Sequence, residues 1–102
     1  MSKDTVAPGT LTLRVITPDG IALEAVCDSV TLPLSNGVNG EGGGAVGIRR
    51  GHIKAIMALS TGVVRASMGG AAIAAAHIGG GLAKVENDMV DVITSSVTIE
   101  SL

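Results

Sequence analysis

Two histidines, one cysteine and a glycine-dense loop are the residues of this chain best suited to chemistry, and their spacing argues against most of it. His52 and His77 are far apart in sequence, and Cys27 has no second cysteine, so no zinc-ligand spacing is present. No serine sits in a Gly-x-Ser-x-Gly elbow, which removes the usual nucleophile triad. A phosphate-cradling P-loop ends in Gly-Lys-Ser or Gly-Lys-Thr and opens a helix; here Gly47 and Gly51 lead only to His52 and Ile53. Gly40, Gly42 and Ala45 fit a loose dinucleotide-loop spacing, but no strong strand precedes them and no long helix follows, so a flexible turn is the better reading. Cys27 lies mid-strand beside Val26, away from the basic or helix-start surroundings that activate a thiol, and reads as a small core residue. His77 lies in an apolar strand and reads as a packed or edge histidine. Arg49, Arg50 and Lys54 form the one dense basic cluster. It is either a solvated loop or a contact for an acidic partner or lipid head groups, and at about 1 kcal/mol per charge it would hold a membrane weakly.

Composition narrows the function further. The chain has 102 residues, the length of one domain, and 46 % of them are apolar, so a core can form. The net charge is −2 with no block of like charge, which gives no electrostatic footprint for nucleic acid. Phe, Tyr and Trp are absent. Stacking on bases or sugars and aromatic cages for methyl-ammonium groups are therefore excluded. The core must be built from Val, Ile, Leu, Met and Ala, which predicts modest stability for the free domain and help from a partner surface. A single cysteine fits a reducing compartment. Residues 1–9 are polar and predict a flexible leader, not a signal peptide. Residues 66–83 carry no charged side chain, close to the roughly 18 residues of a short membrane span. Their Gly and Ala content, with His77 and two glycine clusters inside, predicts strand-length pieces instead.

The elements that must position these residues follow from alternation and turn signals. Leu11, Leu13 and Val15 alternate with Thr12, Arg14 and Ile16, a period-two strand. Thr17-Pro18-Asp19-Gly20 is a turn, and Ile21 and Leu23 open the return strand of a hairpin. Residues 26–32 alternate again, with Asp28 awkwardly among apolar positions, at a strand edge or satisfying a nearby backbone N–H, and Pro33 ends the strand. Residues 34–44 read as a surface loop. Residues 52–59 fit a helix or a buried strand, and the flanking Gly51 and Gly62 favour short extended pieces. Strands are predicted over 62–68, 71–78, 82–86 and 89–93, with Asn87-Asp88 as a hairpin turn and 97–99 as a final edge strand. Ala72 to Ala76 has helical propensity, which the regular turn spacing outranks. The sum is an all-β domain over 10–102 of about ten short strands, in a two-sheet β-sandwich or a barrel.

The order of these parts resembles the β-sandwich domain of the epsilon subunit of rotary F-type ATP synthases. Leu13 to Gly20 and Ala25 to Pro33 are similar to its first strands. Gly44-Ala-Val-Gly-Ile48 resembles its Gly-x-Leu-Gly-Ile turn, and Gly51-His52 its Gly-His. Leu59 to Val64 is similar to its Leu-x-x-Gly-x-x step, and the segment from Gly79 through Val92 to its Gly-Gly-x-Leu-x-Val and hairpin. Arg50, Ile53 and Lys54 replace the residues that flank Gly-His in the family's Pro-Gly-His-Ala-Pro, which should loosen that loop. Ser60-Thr61 stands where Lys-Pro is common, and the loop at 35–43 is longer than usual.

The resemblance implies a non-catalytic rotor part that binds the gamma subunit, rests on the membrane c-ring and transmits torque. It would sit in the F1 sector, peripheral to the cytoplasmic face of the inner or plasma membrane. By position, Ala45 and His52, joined by Arg49, Arg50 and Lys54, would face the ring or stalk base. Thr17 and Met57 would lie toward gamma. The sequence stops near Leu102, where the family's C-terminal helical hairpin often follows, and the expectation is that the hairpin is absent either naturally or by truncation. The expectation is therefore no braking of ATP hydrolysis by that hairpin and no nucleotide site formed by it. No cofactor, metal, nucleic acid or small-molecule substrate is expected. The competing class is a free-standing β-sandwich module whose Gly-rich loop holds a small ligand or protein partner. A small enzyme is a third class that lacks any clustered acid, base or nucleophile.

Overall fold

A computed structural model of the protein describes residues 9–35 and 44–102. The expected leader, apart from Gly9, and the loop at 36–43 lie outside the described residues. Among the described residues there are eight strands and no helix: β1 (Leu11–Thr17), β2 (Gly20–Cys27), β3 (Ser29–Pro33), β4 (Ala45–Arg49), β5 (Ala55–Met68), β6 (Ala71–Glu86), β7 (Met89–Ile93) and β8 (Val97–Ile99). Among the described residues no helix is long and apolar enough to cross a membrane; the uncharged run at 66–83 forms the end of β5 and most of β6.

The hydrogen-bonded order is β2-β1-β7-β6-β5-β3-β4, with β8 added to β6. All pairings are antiparallel except β1 with β7. β1 and β3 are separated by three strands in this order, yet Leu13 and Val15 of β1 share one buried cluster with Val30 and Leu32 of β3. A sheet closes a core on itself in this way only by folding over.

The long β5–β6 hairpin makes the fold. A straight strand of β5's 14 residues would hold its ends about 45 Å apart. Here Arg49 pairs with Ser29, which pairs with Ser67 near the end of β5. The next residue, Arg50, reaches Asp88, in the turn after the strand that pairs with the start of β5. Both ends of the ribbon therefore meet beside one loop. The first half of β5 and the second half of β6 join β7, β1 and β2 in one layer. The remaining halves join β3, β4 and β8 in the other.

This corrects the expected count of about ten strands to eight. The sequence pattern sets strand boundaries at Gly62 and at the triplet Gly79 to Gly81, but these glycines lie inside β5 and β6. The ladder continues on either side, from Leu59–Gly81 to Thr61–Gly79. At the crease Gly81 has φ +146°, and a Cβ there would run into the carbonyl oxygen of Ile93. Glycine bends the ribbon where any other residue would block it. The crease is also tied to the β7–β8 connection: Thr94 donates its hydroxyl to Gly80 O at 2.7 Å, and Gly79 N–H donates to Ser96 O at 3.3 Å.

The ambiguous segment 52–59 divides into a loop through Lys54 and strand from Ala55 onward. Ala72 to Ala76 is strand because it pairs with β5 on one side, while on the other β8 pairs at Ala76 and Glu100 N–H donates to Ala75 O at 2.9 Å. Cys27 is fully buried beside Leu11, where desolvation and then the nearby Asp28 push its thiol pKa up. Asp28 sits between β2 and β3 and accepts a hydrogen bond from Gly69 N–H at 2.8 Å, resolving its awkward place in the alternation.

Candidate functional site

Folding the ribbon gives the domain two unlike ends. At the open end, the ribbon's termini meet the β4–β5 loop. At the crease end lie the β1–β2 turn, the glycine triplet and the start of β4.

The open end is polar and self-bridged. Asn87 and Asp88 have φ +54° and +59°, the pair of left-handed residues of a tight hairpin turn. That turn aims the Asp88 carboxylate at the β4–β5 loop. It accepts from Gly51 N–H at 2.8 Å and lies 3.4 Å from the Arg50 guanidinium. Lys54 and Lys84 each approach Glu86 at 3.6 Å. His52 donates its backbone N–H to Arg49 O at 3.2 Å, and its Nδ1 lies 2.8 Å from Ile53 O. A carbonyl only accepts, so Nδ1 carries the proton, and the ring shapes its own loop. Ile53 stands out into solvent at 78 % exposure.

The expected ring-facing residues are thus partly brought together. Arg49, Arg50, His52 and Lys54 share the open end. Ala45 begins β4 opposite Pro33, about 13 Å along the strand from Arg49 and toward the crease. Arg50 and Lys54 already face carboxylates of the β6–β7 hairpin, whereas Arg49 has no ion pair among the described residues.

The crease end is apolar. A groove of about 590 Å³ is lined chiefly by Ile16, Thr17, Pro18, Gly80, Leu82 and Ile93. It continues across the outer face as a cross-strand row: Ile21 opposite Ile16, Ile16 opposite Ile93, Ile93 opposite Leu82, and Leu82 opposite Ala58. Ile21, Ile93 and Leu82 are each about half exposed. Thr17 sits on the rim, its hydroxyl engaged by Asp19 N–H at 3.1 Å and donated to Gly20 O at 3.2 Å. Met57 is not beside it. It belongs to the inward row with Ala83, Val92 and Val15 and packs half-buried against the core, while Ile56 and Ala58 point outward.

The apolar row went unnoticed in the sequence, although a signal was there. Ile16, Leu82 and Ile93 all occupy outward positions of their alternating strands, where polar residues are usual. The next row outward is polar as expected. Arg14 forks onto Asp91 through Nε–Oδ1 at 2.9 Å and Nη2–Oδ2 at 3.1 Å, and hydrogen bonding to Asp91 raises the Arg14 pKa. Among the described residues no three His, Cys, Asp or Glu side chains are grouped to hold a metal ion.

The family model described as "ATP synthase, Delta/Epsilon chain, beta-sandwich domain" matches residues 10–100. The chain belongs to this family. Among curated relatives, the ATP synthase epsilon chain of Prochlorococcus marinus (strain MIT 9211) is 35 % identical over 91 residues, covering 89 % of this chain and 62 % of the relative. That of Prochloron didemni is 38 % identical over 90 residues, covering 88 % and 60 %. The chain spans about three fifths of the length of these relatives. A chain in a cryo-EM structure of the Euglena gracilis mitochondrial ATP synthase, OSCP/F1/c-ring in rotational state 1, superposes with a TM-score of 0.72 at 21 % identity, covering 90 % of this chain and 54 % of that one. At that identity the superposition speaks for the fold alone. It agrees with the all-β sandwich built from pairing register.

Proposed function

We propose that this domain is the β-sandwich of a central-stalk subunit, joining gamma to the membrane c-ring of a rotary ATP synthase and carrying torque between them without catalysing a reaction. The observation that carries the reading is family membership over residues 10–100, nearly the whole folded domain. The relatives named ATP synthase epsilon chain extend that name to this chain as a proposal. The geometry is compatible with two attachments. The apolar groove and row, with Thr17 on the rim, offer a dehydratable face for gamma. The open-end loop offers exposed Ile53, and Arg49, which has no ion pair among the described residues, to the polar loops of a c-ring. Arg50, His52 and Lys54 support that loop as much as they face outward, while Ala45, at the crease-end start of β4, and Met57, half-buried on the inward row, stand apart from the residues they were expected to join. On this reading the protein works in the F1 sector at the cytoplasmic face of the inner or plasma membrane.

The test is assembly. The tagged chain, expressed with gamma, should co-purify with it, and Thr17→Arg should reduce recovery. Arg49→Glu with Arg50→Glu should weaken assembly of the coupled complex. Failure to recover gamma with the unaltered chain would reject the rotor reading. Unchanged assembly and proton pumping in the double reversal would reject the ring-facing role of the loop.

A further inference from the structure

The outer face of the second layer carries a charge arrangement of which the rotor reading uses only Arg49. Opposite residues in neighbouring strands give two rows of three. Gly47 of β4, Thr31 of β3 and Arg65 of β5 form one row; Arg49 of β4, Ser29 of β3 and Ser67 of β5 form the other. The buried Ile48, Val30 and Ala66 lie between them on the inward side, so these six positions share the outward face. Two arginines therefore stand at diagonal corners, with their Cα atoms about 12 Å apart by ordinary strand spacing and rise. Three hydroxyls lie between and beside them, and Gly47 leaves its corner open.

Both guanidiniums are exposed, and neither has an ion pair or hydrogen bond among the described residues. The neighbouring acidic groups are engaged elsewhere. Asp28 receives the Gly69 N–H, and Glu100 is held by His77 Nε2 at 3.0 Å. The side chains of Ser29, Thr31 and Ser67 likewise make no hydrogen bond among the described residues. Unmet donors thus lie on a flat floor at the β4 edge of the layer. We infer that this Arg49–Arg65 face is a docking surface for an acidic polypeptide segment, whose carboxylates take the two guanidiniums while the hydroxyls bond the groups between. A single small oxyanion would satisfy one guanidinium well, but the diagonal spacing suits two carboxylates on one chain. The face adjoins the open-end loop and shares Arg49 with it. The inference stands without the rotor reading, because it concerns the free chain.

The test uses the isotope-labelled protein and short poly-L-glutamate, followed by ¹H–¹⁵N NMR at low salt. Saturable shifts are expected at the Arg49 and Arg65 Nε signals and at the backbone amides of Ser29, Thr31 and Ser67. Arg49→Gln or Arg65→Gln should each weaken binding by roughly fivefold, the size of one lost charge contact. Both sites are exposed, and dispersed spectra will show that the variants fold. Lys84→Gln, on the other layer, should leave binding unchanged. Salt at about 1 M, where screening acts within roughly 3 Å, should abolish it. The inference is overturned if shifts spread evenly over all basic residues or if the double glutamine variant binds as before. It is equally overturned if inorganic phosphate alone gives the same shifts at the same concentration.

Discussion

Replacing Gly81 with alanine tests the central structural claim, that one folded ribbon belongs to both layers. Gly81 has φ +146°, a region that L side chains rarely adopt, and its new Cβ would meet the Ile93 carbonyl oxygen. The obstacle is backbone of β7, which cannot rotate away as a side chain could. Backbone strain of this kind costs about 1–3 kcal/mol. Displacing Ile93 O also disturbs the β6–β7 ladder, since Leu82 pairs with Ile93. A total loss of about 3–5 kcal/mol is expected, at the diagnostic end of single substitutions. Gly69→Ala is the control, because φ there is +61° but nothing lies within 4 Å of the added Cβ. It carries the left-handed term alone, about 1–2 kcal/mol. With each kcal/mol worth roughly 4–8 °C in a domain of this size, Gly81→Ala should melt at least about 4 °C below Gly69→Ala. The chain has no aromatic residue, so urea and thermal unfolding must be followed by far-ultraviolet circular dichroism, not fluorescence. Equal melting temperatures for the two variants would refute the crease.

Leu13→Ala removes a fully buried side chain shared by the two layers and should cost about 2–5 kcal/mol, read as a lower urea midpoint at constant slope. The Cys27 thiol, raised by burial, should resist alkylation in the folded protein and react on unfolding. A raised folded pKa gives stability that is complete below the unfolded thiol pKa and declines as pH rises from there through the folded value. Cys27→Ala should therefore lose less stability than the parent between neutral and alkaline pH, each measured against its own neutral-pH baseline, and identical pH dependence of the two proteins would contradict this. In the β6–β7 turn, Asn87→Gly should be neutral or slightly stabilising because it relieves a left-handed residue. Asp88→Gly relieves the same strain but loses the acceptor for Gly51 N–H, so it should be the less stable variant by about 1 kcal/mol, by urea titration. On the rotor reading, ATP added to the free protein should leave its melting temperature unchanged.

Alternation made the strands legible and concealed the layers. Leu11, Leu13 and Val15 announce β1 because one face meets the core and the other meets water, and the Asn87-Asp88 turn marks its hairpin by residue type alone. Gly62 and Gly79 to Gly81 look like strand ends in the sequence, since a turn and a crease both demand backbone without a Cβ. Only the pairing partner on β5 distinguishes them, and that contact is long-range. The basic cluster was equally visible, but its neutralisation was not. Asp88 and Glu86 lie more than thirty positions away in sequence and reach Arg50 and Lys54 only when the ribbon folds. Ala45 and Arg49 read as one site because they lie close in the chain, yet an extended strand carries them apart by its own rise. Met57, expected on the gamma-facing side with Thr17, pairs with Ala83 and lies on the inward row, a parity that only the pairing register shows.

The crease has a mechanical consequence. In a sandwich of two separate sheets, one layer can slide on the other by repacking side chains alone. Here β5 and β6 run through both layers, so relative sliding would require shearing their shared hydrogen-bond ladder. The β7–β8 connection adds a second tie across the same line, through Thr94 to Gly80 and Ser96 to Gly79. Force applied at the crease end and resisted at the open end therefore travels along continuous backbone. Leu82 to Val85 and Val63 to Ala66, the strand segments flanking the crease, should be the slowest amides to exchange with solvent. A core of modest side chains with no aromatic ring can be stiff on this plan, because its rigidity resides in the ladder and not in the size of what it buries.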